Sequence, residues 1–242
     1  AQLQARVDAC FDALLTPYHL LLGERQLFSA RTVIAPGADL QLDQVTLADE
    51  IAWALFGPLA ARELGGDEDA VQARTEQASQ ALDAVMARSW VVVNRAPTLS
   101  PTNLIAFHPL RDPGSVIRLH PLVCQWLNGD FDGDQVAVFL PITAGGQREA
   151  GEQLSVAAHV TRDPALLDGL LPPGEALCGL ARLSLTEEGR EEIAQLIGIK
   201  ESIPEGLLTR TILASVMHQM LDRDGVEATL AALERLTERG FE

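Results

Sequence analysis

Apolar residues recur along this chain in two rhythms, one near 3.6 residues and one near two, and the places where the rhythm changes divide it into elements. Leu3, Val7, Cys10, Leu14 and Leu15 keep the helical period up to Pro17, which predicts an amphipathic packing helix at the start. Val33 and Ile34 predict a strand, ended by Pro36-Gly37. Thr46, with Asp49 three residues on, reads as a helix-opening box, and Ile51, Leu55 and Leu59 then repeat every four residues until Gly65-Gly66. A second helix, acidic at Asp67, Glu68 and Asp69, carries Val71, Ala78, Leu82, Val85 and Met86 toward a core. These two helices read as an insertion between strands, with no chemistry of their own.

Trp90-Val91-Val92-Val93 is a short β-rich run that delivers Asn94-Arg95 to its end, and Pro97 holds the backbone before it extended. Short strands and turns such as Pro113-Gly114 continue to the apolar run Val136-Ala137-Val138-Phe139-Leu140. From Thr143 the composition turns helical. Thr186 and Glu187 open an acidic helix, Ile203-Pro204 leads into Leu207, Ile212, Val216 and Met220 on one face, and Leu230, Leu233 and Leu236 lie on a last helix reaching Gly240-Phe241. Neither an internal repeat nor a low-complexity tract interrupts this.

With 242 residues, 47% of them hydrophobic, the chain is long enough for one large domain or two smaller ones with a real core. Its apolar runs are too short to span a bilayer, so a soluble, cytoplasmic, membrane-free protein is expected. Opening on Ala1 and not on Met, it reads as a processed product or a fragment. Cys10, Cys124 and Cys178 lie far apart without a Cys-x-x-Cys pair, which argues against zinc and disulfides and for buried thiols.

The net charge of −16 runs against binding to phosphate backbones. Two features soften this conflict. Arg88, Arg95, Arg111 and Arg118 concentrate positive charge in the central third, and every basic residue except Lys200 is an arginine, the better fork for phosphate and ribose.

The candidate chemistry lies in Asn128-Gly129-Asp130-Phe131-Asp132-Gly133-Asp134-Gln135. In extended backbone Asp130, Asp132 and Asp134 project to one side, Phe131 to the other, and Gly133 frees the bend. Three carboxylates in one small volume repel one another unless a cation sits among them, and such hard oxygens suit Mg²⁺, Mn²⁺ or Ca²⁺. A solvated acidic turn is the bland alternative. A calcium loop fits positions one to seven from Asn128 but puts Phe139 where a bidentate Glu is required. His108 and His120 lie among apolar neighbours and read as structural.

The words around these aspartates resemble the signature of the largest, beta-prime, subunit of multisubunit DNA-dependent RNA polymerase. Asn94-Arg95-Ala96-Pro97-Thr98-Leu99 and Leu119-His120-Pro121-Leu122-Val123-Cys124 stand in that family's order before Asn128–Gln135. Gly23-Glu24-Arg25-Gln26-Leu27-Phe28-Ser29-Ala30-Arg31-Thr32-Val33-Ile34 is similar to a further block in which two arginines face template and hybrid.

The resemblance implies an α+β fold: a double-psi β-barrel at 23–142 with a helical insertion at about 45–89, preceded by an N-terminal helix at 1–22 and followed by a mainly helical pore-like region at 143–242. It implies that Asp130, Asp132 and Asp134 hold a catalytic Mg²⁺, with a second Mg²⁺ arriving on the nucleoside triphosphate. Arg95 and Asn128 would contact the ribose hydroxyls of that nucleotide, and Arg25 and Arg31 the nucleic acid.

The implied activity is nucleotidyl transfer to an RNA 3′ end, a DNA-directed RNA polymerase activity that needs partner subunits. These are a beta-like subunit carrying the second barrel, and alpha and omega, with DNA template, RNA and nucleoside triphosphates. A detached relative that keeps the metal loop for folding or assembly is the alternative.

Departures from the pattern are local. Ser100-Pro101 replaces His-Arg, Ile105 replaces a Gln, Gly129 an Ala, Val136 a Met and Phe139 a His, while Leu27 and Glu24 replace an Asp and a Lys. Gln147, Glu149 and Ala150 are similar to the helix that follows the family's barrel, but the next block is eroded around Pro172–Leu180, keeping Gly179-Leu180 and Glu175. By that resemblance the chain ends before the bridge helix and trigger loop.

Overall fold

The computed structural model describes residues 2–14, 27–198 and 206–242. Six strands, β1 (Ser29–Pro36), β2 (Gln44–Ala48), β3 (Val91–Asn94), β4 (Leu104–Asp112), β5 (Ile117–Leu119) and β6 (Gln135–Phe139), close into a barrel in the order β1-β5-β2-β4-β3-β6. The β1–β5 and β2–β4 pairs are parallel and the other four antiparallel. This is the expected double-psi β-barrel, with helices α2 (Asp49–Glu63), α3 (Glu68–Gln72) and α4 (Glu76–Ala87) inserted between β2 and β3.

The interior is filled by alternate residues. Val91 pairs with Phe107, and Val93 with both Ile105 and Val138; all five side chains are fully buried. The intervening Val92 and Ala106 are also buried, against Ala150, Leu104 and Leu154 outside the barrel. A strand covered on both faces gains from an unbroken valine run where a half-exposed one would alternate. Each such side chain contributes about 1.5–3 kcal/mol.

Helix α1 (Gln2–Leu14) forms as expected, but Val7 on its anticipated packing face is exposed. Thr46 is not a helix cap. It lies inside β2, and its hydroxyl accepts from the Arg118 N–H on β5 at 3.1 Å, so α2 starts at Asp49 after an Ala48 that makes no side-chain cap. The single helix expected from Asp67 to Met86 is two, because Arg74 turns left-handed (φ 48°) and Thr75 caps α4 through Ala78. Arg74 then reaches back to Glu50 and Asp49 on α2.

Beyond the barrel run α5 (Pro121–Trp126, before β6), α6 (Ala144–Glu149), a π turn at Ala150–Leu154, α7 (Val156–Arg162), α8 (Gly174–Leu183), α9 (Glu187–Ile197), α10 (Arg210–Asp224) and α11 (Val226–Phe241). Gln147 joins α6 to the barrel. Its side chain accepts from Trp90 N–H at 2.6 Å and donates to the Trp90 and Pro141 carbonyls at 2.9 and 2.7 Å.

Gly179 sits where α8 meets α11 so closely that a Cβ would lie 2.0 Å from the Gly240 carbonyl oxygen. The kept Gly in the eroded block is therefore explained by helix packing. On α10 the buried stripe is Leu213, Met217 and Met220, one residue on from the expected Ile212 and Val216, and Leu207 precedes the helix and is exposed. Thr209 caps α10 by accepting from the Ile212 N–H at 3.3 Å. Among the described residues no helix is long and apolar enough to cross a membrane.

Candidate metal centre

Two loops meet at one end of the barrel. The first leaves β3 at Asn94 and begins with Arg95; the second runs from the end of α5 to the start of β6 and carries the three aspartates. They meet because β3 and β6 are antiparallel neighbours with Asn94 opposite Ala137, so the chain leaving β3 passes the chain entering β6.

The aspartate loop is not extended. Asn128 takes a left-handed conformation (φ 49°), Phe131–Gly133 form a turn, and Gly133 has φ 124°, which strongly favours a residue without a Cβ. The carboxylates converge through this turn and not through strand alternation. Both ends are pinned: Gly129 N–H donates to the Cys124 carbonyl at 3.1 Å, and the Asp134 carbonyl accepts from Ile34 N–H on β1 at 3.0 Å.

One oxygen from each of Asp130, Asp132 and Asp134 lies within 4.8 Å of the others. Asp134 Oδ2 accepts from Arg95 Nε at 2.8 Å and from Asp130 N–H at 3.0 Å, and forms an ion pair with Arg95 Nη2 at 2.8 Å. The Asp130 N–H, with the Arg95 guanidinium, holds the Asp134 carboxyl below the usual carboxylate range. Asp132 moves the other way, since its hydrogen bond to Asp130 and the charge of that neighbour raise it. Three hard carboxylate oxygens converging in this way are the donor set that a divalent cation takes.

Asn128 is exposed and stands next to Gly129, whose Cβ position would be 3.2 Å from Arg95 Cδ. The structure therefore brings Arg95, Asn128 and the aspartates to one corner. Arg31 lies on β1 in register with Ala137, three residues past Asp134; it is exposed and makes no ion pair among the described residues. Arg25 lies outside the described residues.

The expected concentration of positive charge is not free. Arg88 pairs with Glu63, Arg111 with Asp83 and Asp49, Arg118 with Asp39 and Asp112, and Arg95 with Asp134. The Arg111 guanidinium also lies 6.0 Å from the Trp53 ring centre. Carboxylates from the insertion and from neighbouring loops neutralise each of these arginines.

His108 and His120 are held by the fold, as expected. His120 is buried, accepts from Leu122 N–H at the start of α5, and is pushed by burial to a pKa of about 4. His108 meets the Ser89 carbonyl at 3.2 Å and stacks on Trp90 at 3.7 Å. Cys124 is buried beside the aspartates, where desolvation, followed by the charges of Asp134 and Asp130, pushes its thiol up to about 11. Cys178 is exposed, which corrects the expectation of a buried thiol there.

Sequence reasoning missed Asn103. Its Oδ1 accepts from Leu99 and Ser100 N–H at 3.0 and 2.9 Å, and its Nδ2 donates to the Trp126 carbonyl at 3.1 Å. Ser100-Pro101-Thr102-Asn103 has the form of a capping box with Pro at the first helical position, and that was the available signal.

Residues 60–156 match the family model described as RNA polymerase Rpb1, domain 2. The chain is 36% identical over 180 residues to the DNA-directed RNA polymerase subunit beta' of Streptococcus agalactiae serotype Ia, covering 71% of this chain and 15% of that protein. Against the same subunit of Lactococcus lactis subsp. cremoris it is 34% identical over 192 residues, 76% of this chain and 16% of the relative. The chain thus spans about 15% of the length of the curated relatives it matches. On the identity shared across most of its length, and on a closed barrel presenting the aspartate loop, the chain belongs to the beta-prime family of DNA-directed RNA polymerase subunits.

Proposed function

We propose that this chain is the active-centre segment of a beta-prime subunit and takes part in DNA-directed RNA synthesis, transferring nucleotidyl groups from ribonucleoside triphosphates to an RNA 3′ end. The observation that carries this reading is the convergence of Asp130, Asp132 and Asp134 beside Arg95. The three carboxylates would hold Mg²⁺, the cation that suits hard oxygen donors in phosphoryl chemistry. When bound, Mg²⁺ makes a 3′-hydroxyl a better nucleophile and offsets charge on the triphosphate.

The chain's own contribution is positional. The loop from Asn128 to Asp134, pinned at Cys124 and Ile34, fixes where the reacting ends meet. Arg95 keeps Nη1 outside its bonds to Asp134, and the exposed amide of Asn128 stands at the same corner; these two groups would read the ribose hydroxyls. Arg31 and Arg25 would face nucleic acid. In domain terms, 23–142 would be the catalytic barrel, 1–22 a leading helix and 143–242 the pore-like region. A beta-like subunit, alpha and omega would complete a cytoplasmic enzyme.

One observation favours a second reading. Arg88, Arg111 and Arg118 are all neutralised by carboxylates in a chain of net charge −16, which suits a relative that keeps the aspartate loop for folding or assembly. Reconstitution with the partner subunits and measurement of Mg²⁺-dependent RNA extension separates the two. The polymerase reading expects extension that Asp132→Ala abolishes; a correctly assembled complex that extends nothing rejects it.

A further inference from the structure

We propose that Arg95 is a positioning residue for the metal cluster, acting through Asp134, in addition to any role in reading sugar. This rests on the metal reading above. A carboxylate oxygen has two lone pairs, and Asp134 Oδ2 already accepts two hydrogen bonds, from Arg95 Nε and from the Asp130 N–H, with Arg95 Nη2 in ion-pair contact at 2.8 Å. That oxygen has no capacity left for a cation. Asp134 would therefore offer a cation its Oδ1, with the carboxylate held in one orientation by Arg95.

Arg95 is itself held. Its side chain is one-fifth exposed, its own N–H donates to the Asn103 carbonyl at 3.3 Å, and its Cδ packs over the Gly129 backbone. Arg95 Nε also lies 3.5 Å from where a Cβ of Gly129, the residue after Asn128, would stand. One rigid planar group would thus tie the orientation of a metal ligand to the place where a ribose is read, a task the single point charge of lysine cannot repeat.

Two effects of Arg95 on cation binding have opposite sign. As a positive charge it repels a cation, so removing it would tighten binding; as an orienting partner it preorganises Asp134, so removing it would weaken binding. Loss of an outer partner of a metal ligand typically costs about 10–100-fold in affinity, and the partly buried ion pair with its hydrogen bond makes orientation the larger effect.

The test is a Mn²⁺ titration followed by electron paramagnetic resonance, on the full protein that carries this chain, without nucleotide or template. Arg95→Gln is expected to bind Mn²⁺ at least about tenfold more weakly than wild type. Arg95→Lys, which keeps the charge but has only one donor atom, falls between them. Near-wild-type thermal melting of Arg95→Lys shows that its loss does not come from unfolding.

If Arg95→Gln binds Mn²⁺ as tightly as wild type or more tightly, the positioning role is overturned while the metal site stands. If Asp132→Ala binds Mn²⁺ as well as wild type, the metal reading itself fails and takes this inference with it. Because neither readout needs RNA synthesis, a chain without polymerase activity still gives a decisive answer.

Discussion

Asn103 and Trp126 are joined by a hydrogen bond of 3.1 Å from the Asn103 side-chain amide to the Trp126 carbonyl, and this contact ties together the loop that begins at Arg95 and the loop that carries the three aspartates. Asn103 also accepts from Leu99 and Ser100, holding the loop that begins at Arg95, while Trp126 ends the helix that feeds the aspartate loop. Asn103 is buried, so its amide cannot exchange these partners for water.

Asn103→Ala leaves the Leu99 and Ser100 N–H groups and part of the Trp126 carbonyl without their partner. The expected cost is about 2–3 kcal/mol of stability, read as a lower denaturant midpoint. Asn103→Asp keeps the acceptor but loses the donor to Trp126 and buries a charge, so it should do no better. A variant as stable as wild type would mean that the two loops are held together by other contacts.

The arginines divide into bound and free, and that predicts which of them meet nucleic acid. Arg88 is committed to Glu63, whereas Arg31 is exposed and lacks an ion pair among the described residues. In an assembled complex Arg31→Gln should weaken RNA–DNA binding at every sequence and reduce the salt slope of log affinity by about one. Arg88→Gln should leave that slope unchanged. Equal slopes for wild type and Arg31→Gln would take Arg31 out of the interface.

Much of this was legible in the sequence, for identifiable reasons. The valine run at Val91–Val93 reads as a strand because it is buried on both faces, and Arg95 and the aspartates stand at its end and before its neighbour. What was hidden is long-range. Nothing local reports that Thr46 bonds across to Arg118 instead of capping a helix, or that Asp39, Asp49, Asp83 and Glu63 fold back onto the arginines. The convergence of the aspartates and a bend at Gly133 were anticipated, but strand alternation was expected to do the rest, and the turn that does it depends on Asn128 as well as Gly133 taking positive φ.

His120 gives the protein a stability that depends on pH. The imidazole caps α5 as a hydrogen-bond acceptor, which requires its neutral form, and burial lowers its pKa from 6.5 to about 4. Because the folded value is depressed, the contribution is complete above about pH 6.5, falls as the unfolded chain takes up the proton, and is fully lost below about pH 4. A difference of this size corresponds to about 3 kcal/mol. Equilibrium unfolding between pH 7 and 5 should show the loss, and His120→Asn, which can still cap the helix, should flatten the part due to this residue. His159, also lowered by burial, should keep a residual slope in that variant. Matching pH profiles for wild type and His120→Asn would mean that this imidazole does not carry the effect.

The aspartate cluster should set stability against function. Asp132 is exposed, and its hydrogen bond to Asp130 together with that neighbour's charge makes its ionised form unfavourable without a cation. Replacing one of three mutually repelling carboxylates by a neutral amide of the same shape relieves that repulsion, so without metal Asp132→Asn should melt no lower than wild type. With Mg²⁺ the order should reverse, because a ligand that binds only the folded state raises the melting temperature with its concentration, and the variant has lost a ligand. The melting temperature of wild type should climb as Mg²⁺ is added and that of Asp132→Asn should stay nearly level, the two curves crossing. Parallel curves would show that the three acids tolerate one another without a cation, and the cluster would then be an acidic turn and not a metal centre.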